Sequence, residues 1–205
     1  MIGSAVGPAT PIRLASLMER TAFKLTVQSR KMLASLRLID TDRYWRRLES
    51  LRRKIDAEIV AQKRNYPHWK YFHGYPYQEL GILGIFGGRN TEERFDDYGL
   101  SGILTAQDRV LDIGCSCGFM AVYSAYRTGC RADGFDINPY MINIGRNVAE
   151  FLGLKEKVDL FPGTFQNFRP ERKYTAVYSF ASYWTDDKNL RMEIGDHLKT
   201  IHGWL

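Results

Sequence analysis

Between Val110 and Phe119 the chain reads VLDIGCSCGF: an apolar run reaches an acid, Asp112, bends through Gly114 and Gly118, and opens a segment of helical composition at Phe119. A strand that feeds a glycine-bearing turn and then a helix brings backbone N–H groups and a surface free of side chains to the strand's C-terminal end. That is where open α/β sheets bind ligands. Twenty-four residues beyond Asp112, the run RADGFDI carries Asp136 near its end. From that position a carboxylate accepts hydrogen bonds from both hydroxyls of a ribose.

Two further β-rich runs follow, KVDLF and YTAVYSF, and the four are separated or followed by GFMAVYSAYRTG, PYMINIGRNVAEFLG and DDKNLRMEIGDHLKTIHGWL, all of helical composition. Strands alternating with helices predict right-handed βαβ units on a parallel sheet. A nicotinamide fingerprint needs G-x-G-x-x-G, which this turn does not supply, because Gly114 and Gly118 stand four residues apart.

The segment resembles the class I S-adenosylmethionine-dependent methyltransferases. Asp112-Ile113-Gly114-Cys115-Ser116-Cys117-Gly118 is similar to that family's first motif, acid-x-Gly-x-Gly-x-Gly, and Gly134-Phe135-Asp136-Ile137 to its second. The resemblance implies an α/β fold, with a Rossmann-like parallel sheet that holds the first four strands of a methyltransferase core, preceded by N-terminal amphipathic helices. Because the family's sheet has more strands than these, the chain is expected to be a fragment, with YTAVYSFASY as an open apolar edge.

For the site, the resemblance implies S-adenosyl-L-methionine as cofactor. Gly114 and Cys115 would line its methionine and ribose portion, with Gly118 and Phe119 at the end of the same turn. Asp112 would orient the amino acid end, Asp136 hold the ribose and Ile137 pack on the adenine. Thr164 and Phe165, in PGTFQNF, would lie near the adenine, and Phe180, in SFASYW, would border the methyl group. Ser116 takes the place of the motif's middle glycine and is expected to keep a negative φ. Thr164 and Thr175 stand where the family often has aspartates. Upstream, Arg94 and Tyr98 in ERFDDYGL fall where related enzymes have a helix that closes over the cofactor, and Arg94 is suited to pair with its carboxylate. Tyr183 is the candidate catalytic residue, orienting the acceptor.

The chain has 205 residues, 44% hydrophobic and 25% charged, the profile of a globular protein. It contains no apolar run long enough to span a bilayer and no secretory leader pattern, and a cytoplasmic setting is expected. Cys115 and Cys117 are too close for an ordinary structural disulfide and read as small residues in a tight loop; no metal is expected.

Residues 1–80 carry 15 Lys and Arg against 7 Asp and Glu, a net +8, whereas 81–205 carry 14 against 16, a net −2. Two domains are therefore drawn, a basic helical extension over 1–80 and the cofactor-binding domain over 81–205. Within the extension, Thr10-Pro11 starts one amphipathic helix, and Asp42 starts a second in which Tyr44, Leu48, Leu51, Ile55 and Ile59 share a face. An aromatic stretch around Trp69 follows. Further on, Thr91 is expected to cap a short acidic-start helix ending near Gly99.

Methyl transfer to a small-molecule or glycan-type acceptor is the leading reading. One alternative is an RNA- or tRNA-modifying methyltransferase whose basic extension tracks phosphates and stacks aromatics on bases. Another is a non-catalytic cofactor-binding module whose N-terminal helices contact a membrane surface or self-associate.

Overall fold

Leu48, Leu51, Ile55 and Ile59 recur at the spacing of one helical stripe, and all four are buried on α1 (Thr41–Asn65). The computed structural model describes residues 41–66, 76–180, 182–184 and 192–205. The first helix read from the sequence, most of the aromatic stretch around Trp69, and Ala181 lie outside them. The chain divides into two units between Arg46 and Arg47, and α1 runs across the division. Everything that follows concerns the unit from Arg47 to Leu205.

A small parallel pair comes next, β1 (Gln78–Glu79) with β2 (Arg89–Asn90), bridged by a 3₁₀ turn over Gly81–Leu83. β2 leads directly into α2 (Thr91–Asp97), followed by α3 (Leu100–Ile103), with Gly99 in the left-handed region between them. The cap of α2 differs from the sequence expectation. Asn90, not Thr91, is the N-cap, its side-chain oxygen accepting from the Glu93 N–H at 2.8 Å, while Thr91 is the first helical residue with a buried, unpartnered hydroxyl. Asn ranks above Thr as a cap, and here its backbone already holds the extended conformation a cap requires.

The main sheet has four parallel strands: β3 (Arg109–Ile113), β4 (Arg131–Asp136), β5 (Val158–Pro162) and β6 (Ala176–Tyr178), in the order β5-β4-β3-β6. α4 (Phe119–Thr128) and α5 (Pro139–Phe151) make the crossovers, and α6 (Ile194–His202) follows β6. The α/β class and parallel sheet expected from the sequence are present. β6, the last of the four, lies at one edge of the sheet among the described residues. No helix among the described residues is long and apolar enough to cross a membrane.

Side-chain alternation on β3 sorts the two faces. Leu111 and Ile113 join Phe135, Tyr174 and Trp204 in one buried cluster, against which Phe161, Phe165, Phe168, Val177 and Ile201 pack. Val110 and Asp112 point to the other face by the two-residue period of a strand. Arg109, Asp133 and Tyr174 form a half-buried polar link, with the Tyr174 hydroxyl donating to Asp133 at 2.8 Å.

α1 lies antiparallel to α5. Near its start, Arg47 donates to the Phe151 carbonyl at the end of α5, and near its end Gln62 accepts from Asn138 at the start of α5. Lys54 with Glu150 and Asn143 with Glu58 fill the interval.

Gly145 is where α5 comes closest to the turn after β3: a Cβ there would run into the Cys117 carbonyl oxygen and come within 2.5 Å of a Leu160 methyl. Gly145→Ala should therefore destabilise the protein by about 2 kcal/mol through overpacking, although Ala is the better helix former. Gly102→Ala, with open space around the new methyl, should be neutral or stabilising by up to about 1 kcal/mol. Thermal and urea denaturation of both variants check the contrast.

Candidate functional site

The turn joining β3 to α4 is built from alternating left-handed residues, Gly114 at φ 62°, Ser116 at 54° and Gly118 at 65°. The expectation that Ser116 keeps a negative φ is therefore overturned. Its backbone N–H donates to Asp136 Oδ2 at 2.8 Å, and the left-handed conformation accompanies that contact. Cys115 and Cys117 are fully buried. The Cys115 sulfur lies beneath Gly134, and the Cys117 sulfur touches Met141. Burial pushes both thiols up from the ordinary range, so they are inert fillers of the core. The exposed face of the turn is therefore mainly backbone.

Space beside the two glycines is taken by protein. A Cβ on Gly118 would sit 2.7 Å from Leu160 methyls, and one on Gly114 2.5 Å from Ser182 Cβ. Both positions need glycine for packing and for their positive φ.

Asp136 ends β4 and ties three loops together. Its Oδ2 accepts from Ser116 N, its Oδ1 from Asn138 N at 2.9 Å, and its carbonyl from Gly163 N at 2.9 Å. A carboxylate offers about four lone-pair sites, and here each oxygen accepts from a backbone N–H. Ile137 follows on the partly exposed rim, and Thr164 sits one residue beyond Gly163, in a turn that its own carbonyl and hydroxyl close onto Asn167 and Phe168.

Asp112 is almost wholly buried, and its Oδ2 has no partner. Burial pushes its pKa up to about 7, the neighbouring Asp136 adds to this, and the Arg94 guanidinium and the Ala121 N–H oppose it. Arg94 itself lies over the Phe180 ring at 5.0 Å and the Tyr98 ring at 5.7 Å. Tyr98 and Phe180 stack nearly parallel with centroids 4.8 Å apart. Residues from α2 and from the end of β6 thus converge beside Asp112.

Other expected residues are placed elsewhere. Phe119 is fully buried in the core. Phe165 stacks on His197 at 4.3 Å and meets Trp204 at a tilt, centroids 5.0 Å apart, within the aromatic cluster under α6. The Tyr183 hydroxyl donates to the Met192 carbonyl at 2.9 Å, with its ring beside His197.

Three residues at or near the site escaped the sequence reading. The buried Gln78 side chain accepts the first N–H of α4, from Phe119, at 3.0 Å. Gln62 accepts from Asn138, the residue two beyond Asp136. His197 is buried with its Nε2 unpartnered, and burial holds its pKa below the usual histidine value. Only the hydrophilic letter at an otherwise apolar helical position marks Gln62 in advance, because Ile55 and Ile59 precede it on the same stripe. Among the described residues, no group of three or more His, Cys, Asp or Glu is placed to hold a metal ion.

Residues 110–200 match the model of a methyltransferase-domain family. The chain is 38% identical over 77 residues to a sterol 24-C-methyltransferase of Eremothecium gossypii, a stretch covering 37% of this chain and 21% of that protein. It is 28% identical over 97 residues to a malonyl-[acyl-carrier protein] O-methyltransferase of Ilyobacter polytropus, covering 46% and 34% respectively. The matched stretches thus span a fifth to a third of these relatives' lengths. Among solved structures, a methyltransferase from Geobacter sulfurreducens in complex with S-adenosyl-L-homocysteine is similar at 24% identity and TM-score 0.42, over 45% of this chain and 37% of that one.

A left-handed non-glycine residue costs about 1–2 kcal/mol, and part of that returns as unfolded-state entropy when glycine replaces it. Ser116→Gly should therefore stabilise the protein by about 0.5–1 kcal/mol, read from the urea midpoint. Asp112 gives a pH signature. Its folded-state pKa of about 7 lies above the unfolded value of about 3.9, so the unfolded chain releases the proton first. Stability is then lost as pH rises from about 4 to 7 and levels off above. Asp112→Asn removes this loss, and its Tm advantage over the unaltered chain should grow between pH 5 and pH 8.

Proposed function

We propose, from the match of residues 110–200 to a methyltransferase-domain family, that this chain binds S-adenosylmethionine where the β3–α4 turn meets Asp136. Its methyl group then goes to a small-molecule or glycan-type acceptor. The observation that carries the proposal is the 2.8 Å bond from Ser116 N to Asp136 Oδ2, which joins the two motifs at one place.

The residues present fit this cofactor. The Asp136 carboxylate would take the ribose hydroxyls, and Ile137, next to it in sequence, and Thr164, one residue beyond the Gly163 that donates to the Asp136 carbonyl, would line the adenine. At the other end, the amino acid portion is a zwitterion, and the site offers one group of each sign. The unpartnered Asp112 oxygen suits the ammonium and Arg94 suits the carboxylate. The stacked Tyr98 and Phe180 form an aromatic wall whose electron-rich faces attract a cation.

S-adenosylmethionine supplies an electrophilic methyl on a sulfonium, so an acceptor needs a lone pair held about 3 Å away and in line. The protein's part is to orient and to exclude water. Asp136, held by its backbone donors, would fix the nucleoside, and Asp112 and Arg94 would fix the amino acid end. We assign acceptor orientation to Tyr183, whose hydroxyl donates to the Met192 carbonyl. The small-molecule acceptor class is supported by the similarity to a sterol methyltransferase and by the stacked aromatic rings of Tyr98 and Phe180.

Asp136→Asn replaces a charged acceptor by a neutral one. S-adenosylhomocysteine binding measured by calorimetry should weaken roughly 10- to 100-fold, the worth of a hydrogen bond to a charged group. Failure of the unaltered chain to bind millimolar S-adenosylhomocysteine would sink the cofactor assignment.

A further inference from the structure

We propose that Gln62, on a helix outside the family-matched segment, is a positioning residue for the nucleoside site, acting through Asn138 on the Asp136 carboxylate. The inference rests on the cofactor reading above and adds α1 to the working parts of the site.

Three contacts in series carry it. Asn138 Oδ1 accepts from Tyr140 N at 3.1 Å and Met141 N at 3.4 Å, capping α5. That cap fixes the orientation of the Asn138 amide, since only its oxygen can accept. Nδ2 must then point away, and it donates to Gln62 Oε1 at 3.1 Å. The backbone N–H of the same residue donates to Asp136 Oδ1 at 2.9 Å. Asn138 is thus held by its cap on one side and by Gln62 on the other while it holds Asp136.

Gln62 is 1% exposed and Asn138 4%, so no water replaces the link if it is cut. Without Gln62 Oε1, Asn138 Nδ2 becomes a buried donor lacking an acceptor. A turn of the amide to relieve it gives up the cap and moves the N–H that Asp136 uses. The other half of the Gln62 amide argues against a purely structural role: Nε2 is buried with no partner. For stability alone an apolar pair of similar size at 62 and 138 would serve as well. The rest of α1 keeps Gln62 in place, because Leu48, Leu51, Ile55 and Ile59 bury one stripe and Arg47, Lys54 and Glu58 engage α5.

Calorimetric titration of the full chain with S-adenosylhomocysteine and with 5′-methylthioadenosine tests this. Gln62→Leu should bind both ligands about three- to tenfold more weakly, by the same factor for each because the link acts on the ribose, with Tm lowered because Asn138 Nδ2 loses its acceptor. Ile59→Val, one turn away on the same stripe, should lower Tm and leave both dissociation constants unchanged. Asn138→Ser keeps a capping oxygen and removes the amide donor. It should show the same loss as Gln62→Leu, with no further loss in the double variant, and it stands in if Gln62→Leu does not fold. Equal affinity of Gln62→Leu and the unaltered chain overturns the inference while leaving the cofactor reading intact. No binding by the unaltered chain overturns both.

Discussion

The Asp136 carboxylate, gripped by the backbone N–H groups of Ser116 and Asn138, is the constraint around which the rest of this structure is arranged. Magnitudes show why the arrangement holds. Keeping a serine in the left-handed region costs about 1–2 kcal/mol, whereas a hydrogen bond to a charged acceptor contributes about 1.5–3 kcal/mol. The second donor adds to that, and the same residue caps α5. The strain at Ser116 is therefore offset locally, and a non-glycine residue is tolerated in the middle of a turn that otherwise uses glycine. The price is rigidity, since the β3–α4 turn cannot relax without releasing Asp136.

Packing then makes the turn still less forgiving. Leu160 on β5 meets Gly118, Gly134 and Gly145 at once, and the Cys117 carbonyl leans on Gly145. Four elements approach there more closely than any side chain on those glycines would permit. The glycine-rich composition of this region thus records contact of protein with protein as much as approach of a ligand. Densely packed interiors transmit displacement instead of absorbing it, so the position of Asp136 depends on residues as distant in sequence as Gly145 and Leu160.

Much of the fold was legible in the sequence because the strands of a parallel sheet covered on both faces read as short apolar runs. RVLDIG, RADGFDI, KVDLF and YTAVYSF became β3 to β6 in the expected class of sheet. The nearness of Asp112 to Asp136, which raises the Asp112 pKa, was legible from their positions near the ends of adjacent strands. What the pattern could not convey was direction and polarity in the interior. Phe165 is one residue from Thr164, yet it turns into the cluster with His197 and Trp204, and no periodicity exists in a loop to say so. Gln62 and Gln78 are buried polar residues whose partners lie 76 and 41 positions away, so no local rule connects them. The φ of Ser116 follows from a contact with Asp136 that only the folded chain contains.

The same burial that makes Asp112 unfavourable gives it a use in the proposed function. A carboxyl enclosed in the core, one oxygen unpartnered and a second acid nearby, is held neutral up to about pH 7, and Arg94 offsets this only in part because its guanidinium lies over Phe180 and Tyr98. A cation brought against Asp112 would favour the ionised form and relieve the raised pKa, so binding there and ionisation are the same event energetically. Asp136, by contrast, already accepts from two backbone N–H groups. The two acids therefore divide the work by environment: one is satisfied in advance and serves as a fixed point, and the other is left unsatisfied and responds to what arrives.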